Sequence, residues 1–580
     1  MGAARSAVAA PVPPAAATMV DLSDDWAPRI FSETPELPQA YLATYVALAN
    51  ERPGAGAGWE TSRRDRFFEL FGISPSFSVL RARLLDERRH ACHAAVDDAP
   101  LRDCTSTLAP WAEVASPARR VRCAGALSAV QSHLVCDGLL PPEAVTGRFE
   151  ASTTTALGAY QRRHMLPSRP VVDRETREAL LLPSGELDFR ALLRALRERV
   201  ADAAGLIEDG SASNAWEPVL GRFIDSTEYR QTLRPLPIDG GAPDLIARAT
   251  EEAARALGWT SPEAASAVLA RAVPDVVAVP LPAPPPYHAR VMDLRVEIDR
   301  GDVWSGYPLD DEGRPLPSPV KRRPTLTVFA KTPEGEVPLV RWATTIGAWK
   351  DEKVDGEVTA LRYKPSPVGR RYWRDLIAAP AWFPPPTTPD RELMRRRADG
   401  RWGADDEAVG PGYRSAYGLV ALLHHRASVT VSGAGDLSDA TIRTHGSGNY
   451  RSILRGASHG CHRLFNHLAV RLGGFLLAHR AHERRGLITE RYARRLRWEG
   501  HTATLRVEGR GYRYELVPAI PVDVLPGRRV RLRSPTRNLR EDLVRAVSST
   551  AHPAGTAFAQ DVDHETDQEN RRGGRLLGGR

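Results

Sequence analysis

Two short segments of the 580-residue chain, Thr444-His445-Gly446-Ser447 and Ser458-His459-Gly460-Cys461-His462-Arg463, carry residue types suited to nucleophilic chemistry. Cys461 is the only cysteine after Cys136. A cysteine acts as a nucleophile when a base takes its proton, when local charge favours the thiolate, and when main-chain N–H groups bind the oxyanion formed on the attacked carbonyl. His445, sixteen positions earlier, supplies the base, and Gly446, Gly448, Gly456 and Gly460 let the intervening chain turn back so that the two side chains meet. Gly460 leaves room for a substrate, and the N–H groups near Gly460 and Cys461 are the expected oxyanion donors. Leu464, Phe465, Leu468, Leu472, Phe475 and Leu476 follow a helical stripe, which places Cys461 just before a helix N-terminus, where partial positive charge favours the thiolate. A cysteine or a histidine alone is more often a packing residue; the two together at this spacing point to chemistry. His424, His425, His467, His479 and His482 lack such a setting and read as surface or packing residues.

The segments that lead to this stretch change character twice. Residues 1–60 combine Ala, Pro and Gly and read as a disordered, linker or signal-like N-terminus, with a short helix expected near Tyr41 to Leu48. Arg5 precedes an Ala-rich run, but Pro11, Pro13 and Pro14 break its apolar segment. Residues 61–118 read as a small helical module, from the spacing of Phe67, Phe68, Phe71, Leu80 and Leu84. In 119–184 the acid, Thr and Ala-Leu positions of Glu150, Thr153 and Ala156-Leu157 recur twenty-three residues on at Asp173, Thr176 and Ala179-Leu180. Residues 185–272 form a helical connector and 273–287 a stiff Pro-rich linker. From 288 to 535 the period turns to that of strands, in Val291 to Ile298, Leu326 to Ala330 and Val337 to Ile346. Trp382, in a proline-rich stretch, either lines a groove or plugs a core. The polar residues 536–580 read as a mobile tail.

The motif from His445 through Ser452 to Arg463 resembles the signature of the L,D-transpeptidase catalytic domain, the YkuD-like family. Tyr363-Lys364-Pro365, Trp382-Phe383-Pro384-Pro385 and Tyr417-Gly418 are similar to the large periplasmic members of that family. Residues 119–184 resemble the three-helix peptidoglycan-binding domain that accompanies many of them, the alternative being a plain helical bundle. The resemblance implies a multidomain α+β protein: a helical N-terminal part, then a β-rich catalytic domain that acts on peptidoglycan stem peptides and glycan. Cys461 would form a thioester with the third residue of a tetrapeptide stem, typically meso-diaminopimelate, releasing D-alanine, and an amine of a second stem or of an acceptor cell-wall protein would resolve it. His445 would be the base, oriented by the main chain of Gly446 or Ser447, with Arg463 in support and Gly460 at the oxyanion. Ser452, Ser458, His459, Trp382 and Tyr417 would contact substrate. Two departures bear on substrate fit: His462 stands where many relatives carry an aliphatic residue, and the usual Thr-Pro-x-Gly element is not recognisable upstream. The rivals are a hydrolase using the same pair and a non-catalytic wall-binding scaffold.

The totals agree with this and exclude other classes. The formal charge is +8, yet Asp and Glu are interspersed among the basic residues, and Lys321, Lys331, Lys350, Lys353 and Lys364 are the only lysines among 79 basic residues. No zinc-finger spacing or basic helix supports a nucleic-acid partner. No metal or organic cofactor is implied. No stretch approaches the roughly 18 uninterrupted apolar residues of a membrane span, and the family resemblance implies the periplasm or cell envelope. Cys92, Cys104, Cys123 and Cys136 form two disulfides in an oxidising compartment or pack unpaired.

Overall fold

The computed structural model describes residues 17–33, 77–105, 117–213, 219–221 and 237–530, apart from short internal breaks. The helix expected near 41–48, the aromatic residues Phe67 to Phe71 and the tail from 536 lie outside the described residues. Alternation of β-branched and apolar residues after Tyr287 produces one nine-stranded sheet. Its strands are β1 (Asp293–Asp299), β2 (Thr325–Thr332), β3 (Gly335–Ala343), β4 (Gly369–Ala378), β5 (Val420–Thr430), β6 (Gly433–Ser447), β7 (His462–Phe465), β8 (His482–Leu487) and β9 (Tyr512–Leu525). They run in the order β7-β6-β5-β4-β9-β1-β2-β3, with β8 on β9. The pairs β6–β7 and β9–β1 are parallel and the rest antiparallel.

Against this sheet lies a helix, Asn466–His479, buried on nearly every side. It is buried all round because it is covered from both directions, and its polar residues, Arg471 among them, are therefore paired inside the fold. Leu468, Leu472 and Phe475 belong to the core of the sheet, while Arg471 meets Glu198 of the long helix Ser184–Ala204 in a forked ion pair and Asp209 at 3.5 Å. Asp209 also accepts from Trp342 Nε1 at 2.8 Å, and Glu208 meets His288 at 2.5 Å. The region expected as a connector is therefore a helical domain docked on the sheet domain through buried, paired charges.

The N-terminal segment, expected as a tail or linker, is part of both bodies. Ala17–Asp21 pairs antiparallel with Val276–Pro280, so the stretch expected as a Pro-rich linker contributes a strand. The proline at its end sits at the edge of a two-stranded ribbon, where the missing N–H costs nothing. Ile30 and Phe31 are buried in the core of the nine-stranded sheet, Arg29 N–H donates to both oxygens of Asp202 at 3.0 Å, and Tyr514 donates to the Ile30 carbonyl at 3.2 Å.

The N-terminal boundaries also differ. Phe77, Leu80 and Leu84 join the core of the helical domain, whereas Val96, Leu101 and Cys104 join the core of the following three-helix region. The expected 61–118 module is thus divided between two cores, and a Cys104–Cys123 disulfide crosses its far boundary. Cys136 is disulfide-bonded as well. The repeat read in the sequence has a structural counterpart. Gln131 donates to Thr153 Oγ1 at 2.8 Å and to the Arg148 carbonyl, and Gln161 donates to Thr176 Oγ1 at 2.8 Å and to the Val171 carbonyl. Each half is a loop clamped to the N-terminus of the next helix by one buried glutamine, and Asp173 caps that second helix by accepting from Thr176 N–H at 2.9 Å.

Because Phe31 fills the core of the sheet domain, Phe31→Ala is expected to lower unfolding stability by about 3–5 kcal/mol. A urea titration checks this: a tail residue would change it by less than about 0.5 kcal/mol.

Candidate active site

The two chemical segments meet because β6 and β7 lie side by side and parallel. Thr444 pairs with His462, His445 with Arg463 and Gly446 with Leu464. Partners in register point to the same face, so His445 and Arg463 are neighbours, and Cys461, one step before β7, falls opposite Arg443. Cys461 is partly accessible and is the free cysteine among the described residues. Tyr417 closes the group from a turn before β5, its ring 5.1 Å from that of His445 and its phenol close enough to Cys461 to be pushed up to about 12, chiefly by burial and then by the thiolate charge.

A helix does not begin at Cys461. His462–Phe465 is a strand, and the helix starts at Asn466, so the helix dipole expected at the thiol is one strand away. The four apolar or buried residues of β7 continue the stripe of the helix behind them, which is why the sequence reads as one helix. What faces the thiol instead is the Arg443 main-chain N–H together with the charges of Arg443 and Arg463. These oppose burial, which comes first and leaves the thiol above its ordinary value.

His445 is buried, and its Nδ1 lies 2.7 Å from the Gly446 carbonyl. A carbonyl only accepts, so Nδ1 carries the proton and Nε2 holds the lone pair. Burial first, and then the charge of Arg463, push its pKa down to about 3, against the favourable bond to Gly446. The orienting group is the Gly446 carbonyl, while Ser447 turns away to accept from Asn449 N–H at 3.0 Å. Gly446 and Gly418 are both required by close packing on Asn466. A Cβ on either would come within 2.3 Å of Asn466 Oδ1, and Gly418 also has φ +59°. Asn466 Oδ1 accepts from Leu419 N–H at 3.0 Å, which ties the helix start to the Tyr417 turn.

Several expected substrate contacts have other duties. Ser458 donates to the Cys461 carbonyl at 2.7 Å and accepts from Gly460 N–H at 3.1 Å, so it braces the turn, and the Gly460 N–H expected at the oxyanion is engaged. Ser452 is buried and bonds Asn449 at the start of helix Tyr450–Arg455. His459 is exposed on the turn. Trp382 packs on a satellite core of Leu393, Met394, Leu496 and Leu505, in a small lobe outside the sheet. Tyr417 alone of this group lies against His445.

Two residues that sequence reasoning passed over hold the segment from Cys461 to Arg463. Thr345 Oγ1 donates to the Cys461 carbonyl at 2.8 Å and accepts from Arg463 N–H at 2.9 Å, and Thr344 donates to the Arg463 carbonyl at 2.9 Å. The segment Thr344-Thr345-Ile346-Gly347 carries the threonine and glycine of a Thr-Pro-x-Gly element with Thr345 in place of proline, which was the available signal. Gly347 is fixed by a close approach: a Cβ there would stand 2.0 Å from the Lys364 carbonyl. Behind the sheet, His462 shares a short contact of 2.6 Å with Ser366 Oγ, and His424 accepts from Trp373 Nε1 at 3.0 Å and contacts Thr444 Oγ1 at 2.9 Å. Both histidines are core residues, polar but partnered.

A cavity of about 260 Å³ borders the pair through Tyr417 and Arg443. The described residues hold no cluster of His, Cys, Asp and Glu arranged for a metal ion. No described helix is long and apolar enough to cross a membrane.

Residues 325–479 match the family model of the L,D-transpeptidase catalytic domain, YkuD. The match covers β2 to β7 and the helix behind them, and it does not extend to the three-helix region. Comparison with curated proteins and with solved structures returned no match.

The pair is neutral at rest, thiol beside imidazole, which predicts a pH response unlike that of a preformed thiolate–imidazolium pair. Alkylation of Cys461 by a neutral reagent should rise with pH to a midpoint above 9; a rate plateau between pH 5 and 7 would show the ion pair instead. Stability should also fall in acid. His424, His445, His462 and His467 are held neutral by burial, His445 and His462 with pKa near 3. Below pH 6.5 the unfolded chain binds protons that the folded chain refuses, so each group removes about 1.4 kcal/mol per pH unit. Asp202, pushed up to about 7 by burial, acts in the opposite sense and offsets one of them. A melting temperature that held constant from pH 6.5 to 4.5 would contradict this assignment.

Proposed function

We propose that the chain is a cysteine-dependent L,D-transpeptidase acting on peptidoglycan stem peptides in the cell envelope. The observation that carries this reading is the parallel pairing that sets Cys461 and a tautomer-fixed His445 on one face, within the segment matched by the family. Cys461 Sγ attacks the carbonyl that follows the third stem residue, and its proton passes to His445 Nε2. The C–O bond order drops and the negative charge is met by the Cys461 N–H and by Tyr417, which keeps its proton. Collapse breaks the C–N bond, His445 returns the proton to the leaving amine, and a thioester remains. An acceptor amine then attacks the thioester, loses a proton to His445, and releases the thiol. Arg463, beside His445, disfavours lasting imidazolium and so keeps the base ready. The three-helix region with its paired glutamine clamps is read as the module that holds the chain to the wall polymer.

Incubation with a disaccharide-tetrapeptide, followed by mass spectrometry, tests the reaction. Cross-linked dimer is expected, with Cys461→Ala slowing its formation at least about a thousandfold. Tripeptide without dimer would assign the site to hydrolysis, and the absence of any Cys461 adduct, with a carbapenem as well as with substrate, would remove the enzyme reading altogether.

A further inference from the structure

We propose that Arg443, clasped by Asp439 across a bulge in β6, is a positioning residue that fixes a positive charge against the Cys461 sulfur, with Asp439 tempering that charge. This deepens the acyl-transfer reading above and rests on it for the identity of the nucleophile. Arg443 stands two positions before His445 on β6 and therefore on the same face of the sheet. Its main-chain N–H reaches the Cys461 thiol, and its side chain lines the same cavity as Tyr417 and Asp439.

A regular strand spaces residues four apart by about 13 Å, out of reach of an ion pair. Asp439 and Arg443 nevertheless meet through both carboxylate oxygens and both terminal guanidinium nitrogens, at 2.6 and 2.7 Å. The register explains how. Leu423 faces Arg443 and His425 faces Asp439, so Ala440, Thr441 and Ile442 stand against His424 alone. The surplus residues loop out and draw the two ends together. At the bulge Thr441 has φ +60°, left-handed backbone that a β-branched residue adopts only where its surroundings hold it. Asp439 does the holding, for its Oδ1 also accepts from Thr441 N–H at 2.8 Å. The strained turn thus places one carboxylate on one guanidinium, beside the base and the thiol.

The two partners are unequal. The Arg443 side chain is 8% exposed and that of Asp439 43%, so water screens the carboxylate more than the guanidinium. The guanidinium is also immobile, because Nη1 donates in addition to the Ile442 carbonyl at 3.0 Å. Around the thiol stand Arg443 and Asp439 from β6, Arg463 from β7 and the phenol of Tyr417, with a neutral His445 beside Arg463. Burial comes first and raises the thiol; the Arg443 N–H and the charges of Arg443 and Arg463 act against it, while Asp439 adds to it. One ion pair therefore acts on one sulfur with two opposite signs, the guanidinium favouring the thiolate and the carboxylate opposing it. When the Cys461 proton passes to His445 Nε2, Arg443 keeps its own and stands as counter-ion to the sulfur.

The test follows alkylation of Cys461 by a neutral reagent against pH, in the full chain. Asp439→Asn keeps an oxygen for the Thr441 N–H and removes the negative charge, and its midpoint should fall by about one pH unit. Arg443→Gln should raise the midpoint by about as much, and Arg443→Lys, which keeps the charge, should lie between that variant and the wild type. Because a more acidic thiol is also a weaker nucleophile, rates at pH 8 should change by about three- to tenfold, up for Asp439→Asn and down for Arg443→Gln. A clasp that only shaped the backbone would move both variants the same way. Shifts of one sign, or an unmoved midpoint in an Asp439→Asn chain that melts normally, would overturn the proposal while leaving the acyl-transfer reading in place. Should Arg443→Gln fail to fold, the Asp439→Asn shift decides alone. Opposite shifts in a chain that forms neither thioester nor cross-link with a tetrapeptide donor would uphold the pair's hold on Cys461 and overturn the acyl-transfer reading.

Discussion

Parallel pairing of two strand segments is the constraint on which the site depends. Parallel neighbours cannot be joined by a tight turn; they need a crossover of a dozen or more residues, and the run from Ser447 to His462 is that crossover, with the helix Tyr450–Arg455 inside it. The sixteen-residue separation of His445 and Cys461 is therefore the length a parallel register demands. The pairing also explains why Cys461 is braced from outside its own segment. A strand of four residues has few ladder bonds of its own, and the hydroxyls of Thr344 and Thr345 supply the lateral ties on its carbonyls and on the Arg463 N–H.

Electrostatics within this frame favours a neutral resting pair. Burial works in the same direction on both partners, lifting the thiol and lowering the imidazole, and the nearest cations affect the two differently: they help a thiolate and oppose an imidazolium. A buried, protonated thiol is weakly reactive, which suits a chain in which Cys104, Cys123 and Cys136 are in disulfides.

The reading from sequence names Cys461 and His445 from a local signal, a cysteine, a histidine and four glycines within one stretch, and the structure sets their two segments side by side. That reading missed what the third dimension adds. Thr345 bonds the Cys461 carbonyl across more than a hundred residues, with only the Thr344–Gly347 fragment as a local trace of it, and Asn466 ties the Tyr417 turn to the helix start with no local pattern to announce it. Period alone could not separate a four-residue buried strand from the first turn of the buried helix that follows it, because every residue of both is buried and Leu464 and Phe465 fall in step with Leu468 and Leu472. The N-terminal strand failed for the same reason in reverse: five residues among alanines and prolines have no period to read, and only their partner at Val276–Pro280 makes them a strand. Where a repeat existed, at Gln131 and Gln161, sequence and structure give the same twenty-three-residue offset for the accepting threonines.

The matched segment contains Cys461 and His445 but not the whole body that holds them. Strand β9 stands between β4 and β1, in the middle of the sheet, and lies outside residues 325–479, as does β1. Ile30 and Phe31, nearly three hundred residues before the matched segment, fill the same core. Removing residues outside the match would thus open a central edge of the sheet, with its unpaired N–H and C=O groups, and would uncover the helix Asn466–His479, whose Arg471 is paired with Glu198 and Asp209 of the helical domain. A buried arginine stripped of both carboxylates is a larger penalty than a lost surface contact, so the helical domain and the sheet domain depend on each other, and the N-terminal segment, through Arg29 on Asp202 and Ile30 in the sheet core, is the strap that joins them.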